Sequence, residues 1–176
     1  MDKKEWLKKF SHILRTKLDE KNISYYKFNN GLINFSTSVY SYINGESIPS
    51  AYTIGAIAKG LGCTTDELIM FDDIYDDEYF ELKDKRVVEV PTNIKSNITV
   101  AKWKKLFGQN LYNRMVEQGL NQTELAIRSN INANSVNNYV NGIMIPNGWR
   151  LVNLAKALNC TVDDLVDFGS MVIDCR

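Results

Sequence analysis

The chain of 176 residues contains one histidine, three cysteines and three prolines, and it carries no surplus charge of either sign. Each scarcity excludes something. Cys63, Cys160 and Cys175 are far apart and form no CxxC pair, and His12 alone cannot complete a four-ligand zinc site. The first two cysteines read as small buried hydrophobes and the third lies in the tail. His12 falls on the polar side of the predicted first helix, with no acid–thiol or acid–hydroxyl arrangement beside it. No catalytic residue, metal or cofactor is therefore expected, and neither is an enzyme. The acids Asp72, Asp73, Asp76, Asp77 and Glu78 lack the glycine and closing glutamate of a calcium loop, so they read as a solvated charge run. No stretch approaches the roughly 18 apolar residues of a membrane span. The opening MDKKEWLKKF lacks the apolar core of a secretion signal. A cytoplasmic protein without a membrane partner is the expectation.

The zero net charge, 21 basic residues against 21 acidic, argues against nucleic acid until the charge is located. Residues 1–71 sum to +2, residues 72–100 to −4 and residues 101–176 to +2. The acid is concentrated in the middle, between two mildly basic flanks.

What the chain does have is a repeat. Shifted by 97 positions, residues 6–71 align with 103–168 without a gap, and 20 of the 66 positions are identical. Trp6/Trp103, Phe10/Phe107 and Leu14/Leu111 open the series, and Val39/Val136, Tyr42/Tyr139, Asn44/Asn141 and Gly45/Gly142 follow. Pro49/Pro146, Leu61/Leu158, Cys63/Cys160, Leu68/Leu165 and Phe71/Phe168 come later. Most are apolar or turn residues, which a shared fold would preserve. The expected fold class is mainly α, two tandem five-helix units. At roughly 65 residues, each unit is close to the lower limit for a self-sufficient core.

The stretch Gln122–Gly142 organises the second unit. Asn121 is placed to cap a helix, with Glu124 reaching back as a capping box, and Leu125 and Ala126 face inward. Asn130-Ile131-Asn132 makes a turn. A second helix then turns Val136, Tyr139 and Val140 inward at steps of three and four. Its outward positions, Asn134, Ser135, Asn137 and Asn138, are small and polar. Two short helices so joined are the pattern of a helix-turn-helix, and asparagine can bond adenine through both side-chain groups. Thr99 caps helix one of this unit. Ser24 caps helix two of the first copy, Ser50 and Asn147 cap the fourth helices, and Thr64 and Thr161 the fifth. Trp6 and Trp103 precede helix one in this reading and cover the core edge.

The connection differs in character. DDIYDDEYF is acidic and aromatic, and the alternation of YFELKDKRVVEV predicts a small β-hairpin over 79–90. The hairpin is either a dimerisation device, pairing with its counterpart in another chain, or part of a plain solvated linker.

The run LNQTELAIRSNINANSVNNYVNG at 120–142, Ile145-Pro146, and LAKALNCTVDDL at 154–165 resemble phage-repressor helix-turn-helix domains, the Cro/CI-type or XRE family. The resemblance covers about 66 residues of the second copy and, through the repeat, the same span of the first. It implies an N-terminal helix-turn-helix domain at 1–71, a linker at 72–100 and a C-terminal helix-turn-helix domain at 101–176. It also implies a repressor-like regulator, related to phages or mobile elements, that binds double-stranded DNA sequence-specifically with helix three in the major groove. By position, Gln122 grips the DNA backbone. Asn132, Ala133 and Asn134 open the reading helix, with Asn137 and Asn138 one turn on. Asn147, Trp149 and Arg150 lie near the next phosphate, although Trp149 would equally pack against the tip of helix three.

The first copy departs from the family pattern. Tyr25 stands in place of the glutamine, Asn29 in place of an alanine and Asn34 in place of an apolar turn residue. Its outward positions, Phe35, Ser36, Thr37, Tyr40 and Ser41, can donate hydrogen bonds, but Phe35 and Tyr40 also suit a protein surface. Neither reading helix holds Lys or Arg, and the nearby cations are Lys27, Arg128 and Arg150. Phosphate contacts dominate affinity, so binding by one unit should be modest. Three readings stay open. Both copies read DNA; or copy two reads DNA while copy one binds a protein partner or itself; or the chain is a scaffold for another regulator, as an anti-repressor would be. The asparagines are base readers in the first two and a solvated face in the third. If the hairpin joins two chains as a homodimer, deleting 79–90 is expected to halve the mass measured by light scattering, and an unchanged mass would reject it.

Overall fold

A computed structural model describes residues 2–28, 39–69 and 99–166. The predicted hairpin 79–90, residues 72–98 of the linker and the sites at Ser36 and Thr37 lie outside these residues. The chain divides into two compact units: unit 1, Met1–Ile48 with Ile54–Ile94, and unit 2, Pro49–Thr53 with Lys95–Arg176.

In unit 1 the described helices are α1 (Lys3–Glu20), α2 (Tyr25–Lys27), α3 (Val39–Ile43), α4 (Ala51–Leu61, in this unit from Ile54 onward) and α5 (Thr65–Ile69). The Asp2 carboxylate caps α1 by accepting from the Glu5 N–H, and Ser24 caps α2 through the Lys27 N–H. The apolar stripe of α1 is fully buried at Trp6, Phe10, Leu14 and Leu18, together with Phe28, Ile54, Ile57, Leu61, Leu68 and Ile69. Ser11, buried on the same helix, donates to the Ile43 carbonyl at 2.6 Å and so ties α1 to the end of α3. Lys17 on α1 pairs with Glu67 on α5 at 2.8 Å. Burial opposes the lysine charge, but the hydrogen bond and the charge of Glu67 outweigh it and raise the pKa above the usual 10.5. The lysine's share of this stabilisation is therefore fully present just below that ordinary value and fades as pH climbs through the raised one.

Unit 2 holds α6 (Val100–Glu117), α7 (Gln122–Ser129), α8 (Ala133–Val140), α9 (Gly148–Ala157) and α10 (Val162–Leu165). Thr99, Asn121, Asn132, Asn147 and Thr161 cap them in turn, and Asn121 with Glu124 and Thr161 with Asp164 form reciprocal capping boxes. The core takes Trp103, Phe107, Leu111 and Met115 from α6, Leu125 and Ala126 from α7, Ile131 from the turn, and Val136 and Tyr139 from α8. Leu151, Leu154 and Leu158 close it beside Val162 and Leu165. Arg114 spans from α6 to Asp164 on α10 at 3.0 Å. Asn130 ends α7 in the left-handed conformation, φ 52°, which asparagine tolerates better than most residues.

The tryptophans differ from the sequence expectation. Neither precedes its helix or sits at the core edge. Trp6 and Trp103 lie inside the first turns of α1 and α6, 0% and 2% exposed. Each stacks on the phenylalanine four residues later, with ring centroids 5.3 and 5.2 Å apart and planes within 5°. The reason is helix direction: side chains four apart share one face, so a Trp at that spacing from Phe10 or Phe107 is carried inward with it.

At two glycines of unit 2 the approach is backbone to backbone. A Cβ on Gly108 would lie 2.8 Å from the Tyr139 carbonyl oxygen and closer still to that of Val140. One on Gly142, φ +65°, would lie 3.1 Å from the Lys104 carbonyl oxygen. The end of α8 therefore rests directly on α6. Gly108→Ala is expected to push these helices apart and to lower stability by about 1–3 kcal/mol, the usual cost of overpacking. Thermal unfolding would check this.

Candidate nucleic-acid interface

Helices α7 and α8 are joined by Asn130, Ile131 and Asn132, and Ile131 is 6% exposed, plugging the angle between them as its place in the sequence suggested. Ser129 is buried at the same corner, and its hydroxyl donates to the Leu125 carbonyl at 2.6 Å, so the polar group is satisfied. With Val136 and Tyr139 fixed inward, the opposite face of α8 is settled. Ala133, Asn134 and Asn137 are exposed and Asn138 is half-buried.

The asparagines of this face have distinct tasks. Asn132 is the cap of α8: its Oδ1 accepts from the Asn134 N–H at 2.9 Å, which ties the side chain to the start of the helix. Asn134 makes no side-chain hydrogen bond among the described residues and is the most available amide of the group. Asn137 donates to Gln122 Oε1 at 2.9 Å, which links α8 to the first residue of α7. Asn138 Nδ2 lies 3.5 Å from the Met144 sulfur, a weak contact with the loop that follows α8. The three expected readers are thus one available amide, one brace between helices and one side chain leaning on a loop.

The cations fall around this face. Arg128 is exposed in the last turn of α7. Arg150, half-buried on α9, donates from Nη1 to the Tyr139 hydroxyl at 2.8 Å. That bond anchors the guanidinium on a core side chain of α8 and leaves its other donors for a further acceptor. Asn147 is committed to capping α9, with Oδ1 accepting from the Arg150 N–H at 3.0 Å. Trp149 is half-buried. No Lys or Arg lies on α8 itself.

Two contributors escaped the sequence reading. Lys104 on α6 donates to the Ile143 carbonyl at 3.1 Å, which brings a cation to the loop after α8. Asn141, just past α8, donates to the carbonyl and to Oδ1 of Asn137 at 2.9 and 3.1 Å. A lysine 39 positions upstream carries no sequence signal for this contact. Asn141 was legible only as the turn residue it shares with Asn44.

In unit 1 the outward residues that are described are Lys27, exposed on α2, Tyr40, 43% exposed on α3, and Ser41, whose hydroxyl lies 2.8 Å from that of Ser47. Tyr40 meets Tyr25 edge to face, with centroids 6.5 Å apart, and Tyr26 is 72% exposed. This surface is more aromatic than the face of α8. Among the described residues no group of His, Cys, Asp and Glu could hold a metal ion, and no helix is long and apolar enough to cross a membrane.

Comparison with known proteins agrees with this geometry in unit 2. Residues 110–169 match the Cro/C1-type HTH DNA-binding domain, so this part of the chain is a helix-turn-helix domain of that type. A crystal structure of the restriction-modification controller protein C.AhdI from Aeromonas hydrophila is 27% identical to this chain, covering 35% of it and 94% of the controller, at a TM-score of 0.35. No curated protein matches the chain.

Because Asn132 caps α8, Asn132→Ala is expected to lower stability by about 1 kcal/mol. Asn134→Ala, which removes no described bond, should leave it unchanged. Urea unfolding of both variants distinguishes the cap from the available amide.

Proposed function

We propose that this protein is a cytoplasmic, sequence-specific, double-stranded DNA-binding transcriptional regulator, repressor-like and related to phages or mobile elements, that reads the major groove with α8. The observation that carries the reading is the face of α8. It is exposed, uncharged and amide-bearing, and it is held on a rigid two-helix frame inside a domain of DNA-binding type. Asn134 and Asn138 take the base edges, with Ala133 leaving room for close approach. Gln122, Arg128 and Arg150 take phosphates, with Lys104 beside the following loop. No catalysis or cofactor enters the proposal. Since α8 supplies no cation, binding by one domain is modest, and useful occupancy needs two domains acting together.

Unit 1 is, in this reading, a second and divergent copy of the same fold. Support comes from equivalent positions, 97 apart, that repeat the same physics. The Trp–Phe stacks recur at 6/10 and 103/107. The ion pair Lys17–Glu67 recurs as Arg114–Asp164. Left-handed backbone occurs at Asn22 and Gly119, at Gly45 and Gly142, and at Gly62 and Asn159. A second reading is favoured by the aromatic surface of Tyr25, Tyr26 and Tyr40: unit 1 binds a protein partner while unit 2 binds DNA. A homodimer joined through the linker hairpin is compatible with either.

Selection from random duplex DNA by the intact protein tests the proposal. A two-part motif is the expected outcome for two reading units and a single short motif for one. Asn134→Ala combined with Asn138→Ala should relax base preference by about 1–3 kcal/mol per lost bidentate pair. No enrichment at low salt would reject DNA reading altogether.

A further inference from the structure

Three amides on the exposed face of unit 2 are joined in one direction. Asn141 Nδ2 donates to the backbone carbonyl of Asn137 at 2.9 Å. A carbonyl oxygen can only accept, so this contact decides which end of the Asn141 amide is nitrogen. The same nitrogen donates to Asn137 Oδ1 at 3.1 Å. The nitrogen of Asn137 therefore lies on the other side of its amide, where it donates to Gln122 Oε1 at 2.9 Å. Gln122, half-buried at the first position of α7, has its oxygen engaged in turn. Its Nε2, two donors and no acceptor, makes no hydrogen bond among the described residues.

We propose that Asn137 and Asn141 are positioning residues that fix the polarity of the Gln122 amide, so that Gln122 meets a DNA phosphate as a donor. This rests on the reading of unit 2 as a DNA-binding domain and assigns Asn137 a task other than base contact. The chemistry is one-sided. Phosphate oxygens only accept, so a glutamine turned with Oε1 outward would repel the backbone it is placed to hold. An isolated glutamine at this site would divide its time between the two orientations. The relay removes that choice, starting from a main-chain carbonyl of α8 whose own direction cannot invert. Because all three groups are neutral, the relay changes affinity without changing the number of counterions released.

The test is a double-mutant cycle on the full-length protein, with affinity measured for its selected duplex and for an unrelated duplex of equal length. Asn141→Ala is expected to weaken binding to both duplexes alike, by about two- to tenfold, the usual range for one hydrogen bond. The slope of log affinity against log salt should not move. In the Gln122→Ala background, Asn141→Ala should cost nothing further, because the group it orients is gone. Asn137→Ala should behave in the same way, which guards against a fold defect in either variant, and thermal unfolding of each would be recorded. Additive losses, or a loss confined to the selected duplex, would overturn the proposal. Side-chain amide resonances without DNA give a second readout, since Asn141→Ala should shift those of Gln122. Unmoved Gln122 resonances reject the relay itself. Moved resonances in a protein that binds neither duplex keep the relay, reject its phosphate role and reject the DNA-binding reading with it.

Discussion

The direct contact of α8 with α6 underlies the rest of unit 2. Gly108 has no Cβ to hold off the Tyr139 and Val140 carbonyls, and Gly142 bends away in a left-handed conformation against the Lys104 backbone. With the two backbones this close, rolling or sliding α8 would drive main chain against main chain. Val136 and Tyr139 are then fixed inward, and the phenol of Tyr139 is placed where Arg150 reaches it. Which residues of α8 face outward follows from this seating. A one-residue rotation, about 100° on a helix, would bury amides with no partners waiting, at the cost of several unsatisfied polar groups.

On that face the asparagines divide the labour, three of the eight residues of α8 together with its cap. Asn132 caps, Asn137 braces, Asn138 leans on Met144 and Asn134 is left available. The electrostatics are equally divided. The face itself is neutral, and the cations Arg128, Arg150 and Lys104 sit on α7, α9 and α6 around it. Such an arrangement suits base edges read by neutral hydrogen bonds and a backbone held by charge at the periphery. It also explains how a chain with no net charge can present a domain of DNA-binding type, since the acid is gathered in residues 72–100.

Unit 1 is held together by contacts that parallel those of unit 2 at positions 97 apart. At the position of Gly108 it has Ser11, and the hydroxyl donates to the Ile43 carbonyl where the glycine in unit 2 admits the Val140 carbonyl. Lys17–Glu67 joins α1 to α5 and Arg114–Asp164 joins α6 to α10, with one side chain shorter where its partner is longer. Asparagine and glycine exchange places at two left-handed turns. None of these positions is identical between the two units, yet the ion pair and the left-handed turns recur at them.

The helix pattern, the caps and the core were legible in the sequence because they rest on local rules. Period-3.6 apolar stripes, Ser, Thr and Asn before helices, and Gly or Asn after them act within a few residues of one another. Asn121 with Glu124, Thr161 with Asp164 and the buried Leu125, Ile131 and Tyr139 stand where those rules put them. The amide character of α8 was legible too. What the sequence could not apportion was the use of each amide, because a side chain's partners lie on other elements. Asn137 reaches Gln122 across 15 positions, and Lys104 reaches Ile143 across 39. Local chemistry determined that this chain would form short capped helices with a polar face. Only the packing of α8 on α6, which sets the angle between helices, decided which of those polar groups hold the frame and which are left to meet a partner.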